Sequence, residues 1–391
     1  MKSTSNLSPS SVLLMAVSCG LVAASSYFAQ PLSASIAPSI GLPIRDAGAI
    51  MMLSQLGYCT GLLLLAPLGD CVENRRLVLF TLSGLCIALW VLSRAESALA
   101  FLAAAFAIGL GCTVVQMIVP IAARMSHVYE RGRVVGIVTS GLLAGIMLSR
   151  PVASLFTAHG GWRNLYLADA LLLALFGVLL ARLLPAHRPA SPASYPQLLA
   201  SLPTLVRRHA LLRRLAVVQA VLFGAFSLFW GAAPFVLLHR FGLSPTELAW
   251  FALAGAAGAL CAPFAGRAAD RGREAKARSC GISLVGVGFV LTLVPNVTAW
   301  VAAAMMIDAG VQICHVVAQR TILSIDVATR NRLNSLYIAT FFFGGALGSM
   351  LASWTMAIHW SIVAGLGLLF AASAGLVASG RVLGGRVNAA Q

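Results

Sequence analysis

Residues 98–122, ALAFLAAAFAIGLGCTVVQMIVPIA, form an apolar run that contains no charged side chain. A helix needs roughly 20 such residues to cross the hydrocarbon core of a bilayer. Of the 391 residues, 59% are hydrophobic and 10% are charged, whereas a soluble domain carries roughly 25% charged residues. The run and the composition together predict a protein whose helices span a membrane.

Similar runs recur along the whole chain. A membrane barrel would show short segments of alternating polarity, which this sequence lacks, so we predict an all-α membrane protein with twelve transmembrane helices. The first run continues past Ser25, and we expect a retained helix rather than a cleaved signal peptide. The predicted spans are residues 12–40, 47–68, 77–93, 98–122, 134–157, 164–184, 211–238, 247–268, 279–295, 298–322, 334–357 and 360–380.

The net charge of +16 comes almost entirely from arginines in the short gaps between these runs. This placement argues against nucleic-acid binding and is typical of residues that set membrane topology. With the N-terminus inside, nearly all basic residues face the cytoplasm, and we predict that both termini are cytoplasmic. The predicted external gaps hold Arg45, Arg94, Arg163 and Arg240.

The longest polar gap, residues 185–210, follows the sixth predicted span. Its first part is rich in Pro, Ala and Ser and favours a linker, and residues 197–209 could form an amphipathic helix on the inner leaflet. We therefore predict a six-helix bundle over residues 1–184, a cytoplasmic linker over 185–210 and a second six-helix bundle over 211–391.

The two halves contain similar basic loops at matching positions. PLGDCVENRR, residues 67–76, separates predicted spans two and three, and PFAGRAADRGR, residues 263–273, separates spans eight and nine. A second pair of loops repeats at a constant offset of 199 residues, so that Arg131 and Arg133 match Arg330 and Arg332. This pattern indicates a parallel internal repeat.

The second of these loops resembles the GxxxDRxGRR signature of the major facilitator superfamily, one residue shorter than the consensus, through Gly266, Asp270, Arg271 and Arg273. The first loop keeps part of the signature: it retains Asp70, Arg75 and Arg76, but has Ala66, Cys71 and Glu73 in place of a glycine, an arginine and a second glycine. An aspartate beside arginines could form an ion pair or face a helix N-terminus and so favour one state of a transport cycle. Plain topological anchoring is the alternative. The candidate switch residues are Asp70, Arg75, Arg76, Arg131, Arg133, Gly266, Asp270, Arg271 and Arg273.

Glycines in the fifth span resemble a motif of the drug/proton antiporters in that family. Gly132, Gly141 and Gly145 match its spacing, and the last two would let helices approach closely, whereas Ile146, Ser149 and Arg150 replace its proline and glycine pair. Together with YFAQPL at residues 27–32, the pattern is similar to bacterial inner-membrane exporters of the sugar-efflux and multidrug-efflux type. The resemblance implies two pseudo-symmetric six-helix bundles and proton-coupled export of a small organic molecule by alternating access. We expect substrate, protons and membrane lipids as partners, and a monomer.

Charged side chains inside a span are costly and are therefore functional candidates. Arg150 in span five and Asp169 in span six both lie within roughly two turns of the outer face, so they could reach each other. They could form a structural ion pair, or Asp169 could carry a proton while substrate binds near Arg150. Arg150 could also contact an anionic substrate alone, or both side chains could extend toward the membrane–water interface.

A second candidate proton site lies in span ten. Asp308, Gln312 and His315 are spaced four and three residues apart, which places them on one face of a helix. A carboxylate and an imidazole one or two turns apart could relay a proton. The alternative is a set of buried polar groups that only bond neighbouring helices.

The resemblance implies that spans one, four, seven and ten line a substrate cavity. Their polar and aromatic groups, with those of span eleven, suit a neutral or amphipathic substrate, although each aromatic could serve only for packing. The cavity candidates are Ser26, Tyr27, Gln30, Thr113, Gln116, Gln219, Phe223, Phe226, Trp230, Gln312, Tyr337 and Phe341.

The sequence contains no nucleotide-binding motif and no soluble catalytic constellation, so we predict neither an enzyme nor a cofactor, and an ion gradient would supply the energy. The eight cysteines lack the spacing of metal ligands and are interpreted as small buried apolar groups. Two other functions stay open at this level: proton-coupled uptake, and a non-transporting sensor or lipid scramblase on the same scaffold.

Overall fold

The computed structural model describes residues 8–127, 129–188, 194–326, 329–356 and 358–380, and every regular element within them is helical. The prediction of an all-helical protein is therefore confirmed. The chain divides into two compact units, Met1–Leu199 and Ala200–Gln391. Part of the predicted linker, residues 189–193, lies outside the described residues.

In the first unit, Ser8 caps the first described helix by accepting a hydrogen bond from the backbone of Ser11. The last helical element of this unit, of 53 residues, consists of two helices that meet at a kink at Gly161, whose φ of 75° lies in the region that favours glycine. These two helices correspond to two predicted spans. The helices are α1 (Pro9–Ser25), α2 (Ala29–Ser39), α3 (Gly48–Leu68), α4 (Asn74–Arg94), α5 (Ala98–Cys112), α6 (Val115–Met125) and α7 (Arg131–Leu183).

The division between the units falls within α8 (Tyr195–Arg208), the helix predicted in the linker. Side-chain caps start several helices of the second unit; for example, Ser244 and Glu247 form a reciprocal capping box. The helices of this unit are α9 (Ala210–His239), α10 (Pro245–Ala256), α11 (Ala262–Asp270), α12 (Glu274–Leu291), α13 (Val297–Ile325), α14 (Arg330–Met356) and α15 (Trp360–Ala378).

Within the described residues, ten helical segments are long and apolar enough to cross a membrane. The two other predicted spans, eight and nine, are helical as well. Span eight consists of α10 and α11 joined by a short 3-10 turn at Ala257–Cys261. Span nine is α12, whose first turns carry Glu274, Lys276 and Arg278. All six predicted spans of each unit are therefore helical in the structure.

Two further spans that the sequence predicts as single helices are also broken in the structure. Span one is interrupted at residues 26–28, between α1 and α2, and span four is interrupted at residues 113–114, between α5 and α6. Turn hydrogen bonds, such as Tyr27 N to Ala24 O at 2.9 Å, keep the backbone paired through the first break. Such pairing is needed because lipid offers no hydrogen bonds to exposed backbone.

Glycines bring equivalent helices into close contact in both units. A Cβ atom on Gly145 of α7 would overlap the backbone carbonyl of Gly20 in α1, and a Cβ atom on Gly348 of α14 would overlap that of Gly224 in α9. The close approach expected from the fifth-span glycines is therefore confirmed. The two crossings are separated by nearly the same number of residues as the repeated loops, which supports the internal repeat.

Candidate functional site

In the second unit, Asp308 lies near the middle of α13 and is bonded to a tryptophan of α9. The indole Nε1 of Trp230 donates to Asp308 Oδ1 at 2.7 Å. Trp230 is 1% exposed and Asp308 is 6% exposed. The indole can only donate, so its hydrogen bond favours a carboxyl oxygen at this position.

His315 lies two helical turns beyond Asp308, and its partner is on α14. Its Nδ1 atom is 3.0 Å from the hydroxyl of Tyr337, and the two rings are stacked. Gln312, between Asp308 and His315, is half-buried on the same helix. The structure thus gives Asp308 and His315 separate partners on two neighbouring helices, α9 and α14.

The predicted aromatic residues of α9 and α14 form one cluster. Phe223 stacks on Phe226 and on Phe341, with ring centroids 5.2 and 3.9 Å apart. Phe341 also contacts the His315 ring. Gln219, one turn before Phe223, is buried and donates to the backbone carbonyl of Val311 at 3.3 Å. This cluster therefore lies beside the polar face of α13.

In the first unit, two charged residues of α7 bond to the residues that flank the break in span one. Ser25, the last residue of α1, donates to Asp169 Oδ2 at 2.6 Å. Arg150 donates from Nε to Gln30 Oε1 of α2 at 2.8 Å. These contacts give each charged side chain its own neutral polar partner, in place of the direct contact between Arg150 and Asp169 considered from the sequence.

The other predicted polar residues of this unit lie at the helix breaks or close to them. Ser26 and Tyr27 occupy the break in span one, and Thr113 occupies the break in span four and donates to Leu110 O. Gln116, in the first turn of α6, donates to the hydroxyl of Tyr58 in α3 at 3.2 Å. Tyr58 was not among the sequence candidates because a single tyrosine in an apolar run gives no signal.

The two signature loops each involve an arginine that the sequence analysis did not single out. Asp270, at the end of α11, forms an ion pair with Arg320 of α13. In the first unit, Asp70 interacts electrostatically with Arg124 of α6. Arg124 and Arg320 occupy matching places at the ends of spans four and ten, and this correspondence was the only signal that could have found them.

The matched arginines of the second loop pair also make matching contacts. Arg131 Nε donates to the carbonyl of Ala123, and Arg330 Nε donates to the carbonyl of Leu323, both at 2.9 Å. These bonds satisfy carbonyls near the end of the preceding helix. Arg131 and Arg330 therefore each cap the end of the helix that precedes them.

The remaining loop candidates lie near the ends of helices. Arg76 forms an ion pair with Glu73 at 3.0 Å, one turn away. Gly266 is half-buried in α11 and accepts a hydrogen bond from Arg320 through its carbonyl. Arg75 is half-buried in the first turn of α4, and the more exposed candidates are Arg133, Arg271 and Arg273.

The buried charges and the set of spanning helices define a multi-pass membrane protein of the transporter class. A family model described as the Major Facilitator Superfamily matches residues 14–217 and again residues 215–384. The chain belongs to this superfamily, whose members are transporters of small molecules and not enzymes, and its fold is the twelve-helix fold of that family.

Relatives and solved structures agree with this assignment. The chain is 36% identical over 356 residues to "Uncharacterized transporter YgaY" of Escherichia coli O157:H7, with 90% of each chain covered. Its fold is similar to that of a peptide transporter, POT, solved with alafosfalin (TM-score 0.73, 15% identity, 96% of each chain covered). It is also similar to that of the human organic anion transporter MFSD10 (TM-score 0.69, 18% identity, 95% and 99% covered).

Proposed function

We propose that this transporter exports a small organic molecule in exchange for protons. In this proposal it acts as a monomer in the bacterial inner membrane, with both termini in the cytoplasm. The distribution of arginines between the loops supports the orientation. The glycine motif of the fifth span, whose close helix contact the structure shows at Gly145, supports export.

The buried carboxyl group of Asp308 is the single observation that carries proton coupling. Among the described residues, Asp169 and Asp308 are the only acidic side chains that are buried. A charged carboxylate inside a membrane is expensive, so a position of this kind persists where gain and loss of a proton serves a function. Asp308 is central to a 29-residue helix, far from both of its ends.

The contact between Trp230 and Asp308 supplies a way to couple protonation to helix movement. A hydrogen bond to an ionised carboxylate is roughly twice as strong as a bond between neutral groups. Proton binding therefore weakens the link between α9 and α13, and proton release restores it. We propose that substrate binding near the aromatic cluster of α9 and α14 disfavours either the protonated or the deprotonated state of Asp308.

Proteoliposomes with an acidic interior and a trapped pH dye test the proposal. A library of small organic compounds is added outside, and an antiporter should discharge the gradient when it meets its substrate. Asp308→Asn should abolish this discharge while substrate binding persists. Asp46→Asn, at a half-buried acid that lies just before α3 and pairs with Arg45, is the control and should leave the discharge unchanged.

The direction of flux separates export from uptake. Protons that leave the vesicle while substrate enters indicate exchange, whereas protons and substrate that move together indicate symport and would overturn the export assignment. Full activity of Asp308→Asn would remove Asp308 from the mechanism. Vesicles that contain no protein give the baseline rate of proton loss for every compound.

A further inference from the structure

The amide of Gln30 presents a buried donor beside the guanidinium of Arg150. Arg150 is 2% exposed, as is Gln30. A guanidinium carries donors and no acceptor, so the bond from Arg150 Nε fixes the carbonyl oxygen of Gln30 toward Arg150. The amide Nε2 then faces another direction, where it is buried and meets no hydrogen-bond acceptor within the described part of the chain.

Two hydroxyl groups on the Arg150 face of α7 are likewise buried without a hydrogen-bond partner in the described part of the chain. Ser154 and Thr157 follow Arg150 by four and seven residues, which places all three on one side of the helix. The Oγ atom of Ser154 and the Oγ1 atom of Thr157 are buried, and neither has a partner among the described residues. Ser149, by contrast, is also buried and donates to the carbonyl of Ile146 within its own helix at 2.7 Å.

These four groups can all donate hydrogen bonds. Arg150 carries a permanent positive charge, the Gln30 amide offers an N–H donor, and the two hydroxyls can each donate. The other buried charged residue of α7, Asp169, lies beyond the kink at Gly161 and accepts a hydrogen bond from Ser25 at 2.6 Å. An arginine fork matches the planar geometry of a carboxylate, which can accept from two or more donors at once.

We infer that Arg150, Gln30, Ser154 and Thr157 form a binding site for the carboxylate group of a small organic acid. That this acid is the transported substrate rests on the proposed function; the existence of the site does not. The site uses α2 and α7 of the first unit only. It narrows the substrate from the neutral or amphipathic molecule expected from the sequence to one that carries a carboxylate.

A carboxylate built into the chain tests the site without any ligand. Ser154→Asp places an acid on the Arg150 face of α7, so its melting temperature should equal or exceed that of the wild-type protein. Ser149→Asp introduces the same group at an equally buried serine off this face, and its melting temperature should fall by several degrees. Equal destabilisation by the two substitutions would overturn the inference.

Ligand binding gives a second and independent test. Benzoate and acetate should raise the melting temperature of the purified protein in proportion to the logarithm of their concentration, whereas benzamide and acetamide should not. Arg150→Gln and Ser154→Asp should abolish the rise, Ser154→Ala should reduce it, and Ser149→Ala should retain it.

Each contrary result has a definite meaning. A rise with the amides equal to that with the acids, or no rise with any acid, would overturn carboxylate binding. An equal rise with sulfate would reassign the site to inorganic anions and overturn it as well. Proton discharge in proteoliposomes is a separate measurement, so failure of the proposed exchange and failure of this site are distinguishable.

Discussion

Trp230 and Asp308 are joined by a hydrogen bond of 2.7 Å although 78 residues separate them in the chain. The bond links α9 to α13 near the middle of α13, and both side chains are buried. Trp230 also packs against Phe226, Phe229 and Phe251. The indole is therefore held in place by its own neighbours, so a change at Asp308 acts on a fixed donor.

Trp230→Phe should keep the ring packing and remove the donor. A hydrogen bond to a charged group contributes about 1.5–3 kcal/mol, so we expect the substituted protein to fold, to lose stability by about this amount and to transport more slowly. Thermal unfolding in detergent and proton discharge in proteoliposomes measure the two effects.

Trp300→Phe is the matched control for that substitution. Trp300 is 1% exposed, and its indole nitrogen has no hydrogen-bond partner among the described residues. The same change in volume there removes no bond. If both tryptophan substitutions slow transport equally, the loss comes from packing and the Trp230 hydrogen bond has no special role.

Gly145→Ala and Gly348→Ala should both destabilise the protein, because each adds a methyl group where two helix backbones already touch. Overpacking of this kind costs about 1–3 kcal/mol. Gly136→Ala, in open space on α7, should instead be neutral or stabilise the protein by up to about 1 kcal/mol. Melting temperatures of the three variants check the prediction, and equal values would contradict it.

The sequence was sufficient for the helical class and the internal repeat because both depend on local composition and on ordinal position. The apolar run at residues 98–122 predicts a membrane crossing whatever its neighbours are. It does not predict the interruption at residues 113–114, since mean hydropathy is insensitive to a single turn. The break at residues 26–28 is not predicted for the same reason.

The sequence identified the buried charges but not their partners. Asp169 is easily recognised because it is a charged residue within an apolar run. Its partner Ser25 is 144 residues away and is one of many serines. The similar depth of Arg150 and Asp169 leaves a direct contact between them open, and in the structure Arg150 bonds to Gln30. Depth follows from residue counting, whereas the direction of a side chain depends on how the helices are rotated against each other.

The ion pair between Asp270 and Arg320 should influence transport more than stability. Both side chains are largely exposed, at 64% and 48%, and an exposed pair contributes about 0–1 kcal/mol. We predict that Asp270→Arg lowers the transport rate with little change in melting temperature, and that adding Arg320→Asp restores much of the rate.

The ion pair of Arg45 and Asp46, at 3.7 Å, offers a control for that experiment. Asp46→Arg should leave both the rate and the melting temperature unchanged. If Asp270→Arg behaves in the same way, the loop is a topological anchor and has no role as a switch.

Tyr337→Phe should slow proton movement while the fold is preserved. The hydroxyl of Tyr337 lies 3.0 Å from Nδ1 of His315 and orients that ring two turns from Asp308. The loss of one such bond costs about 1 kcal/mol, which corresponds to about a fivefold decrease in rate if the bond is needed in the rate-limiting step. Thr340→Val removes a hydroxyl of the same helix that, within the described ranges, bonds only to Leu336 O, and it should leave the rate unchanged. Single-turnover proton release measured by stopped flow would compare the two, and equal rates would show that the His315–Tyr337 contact serves packing alone.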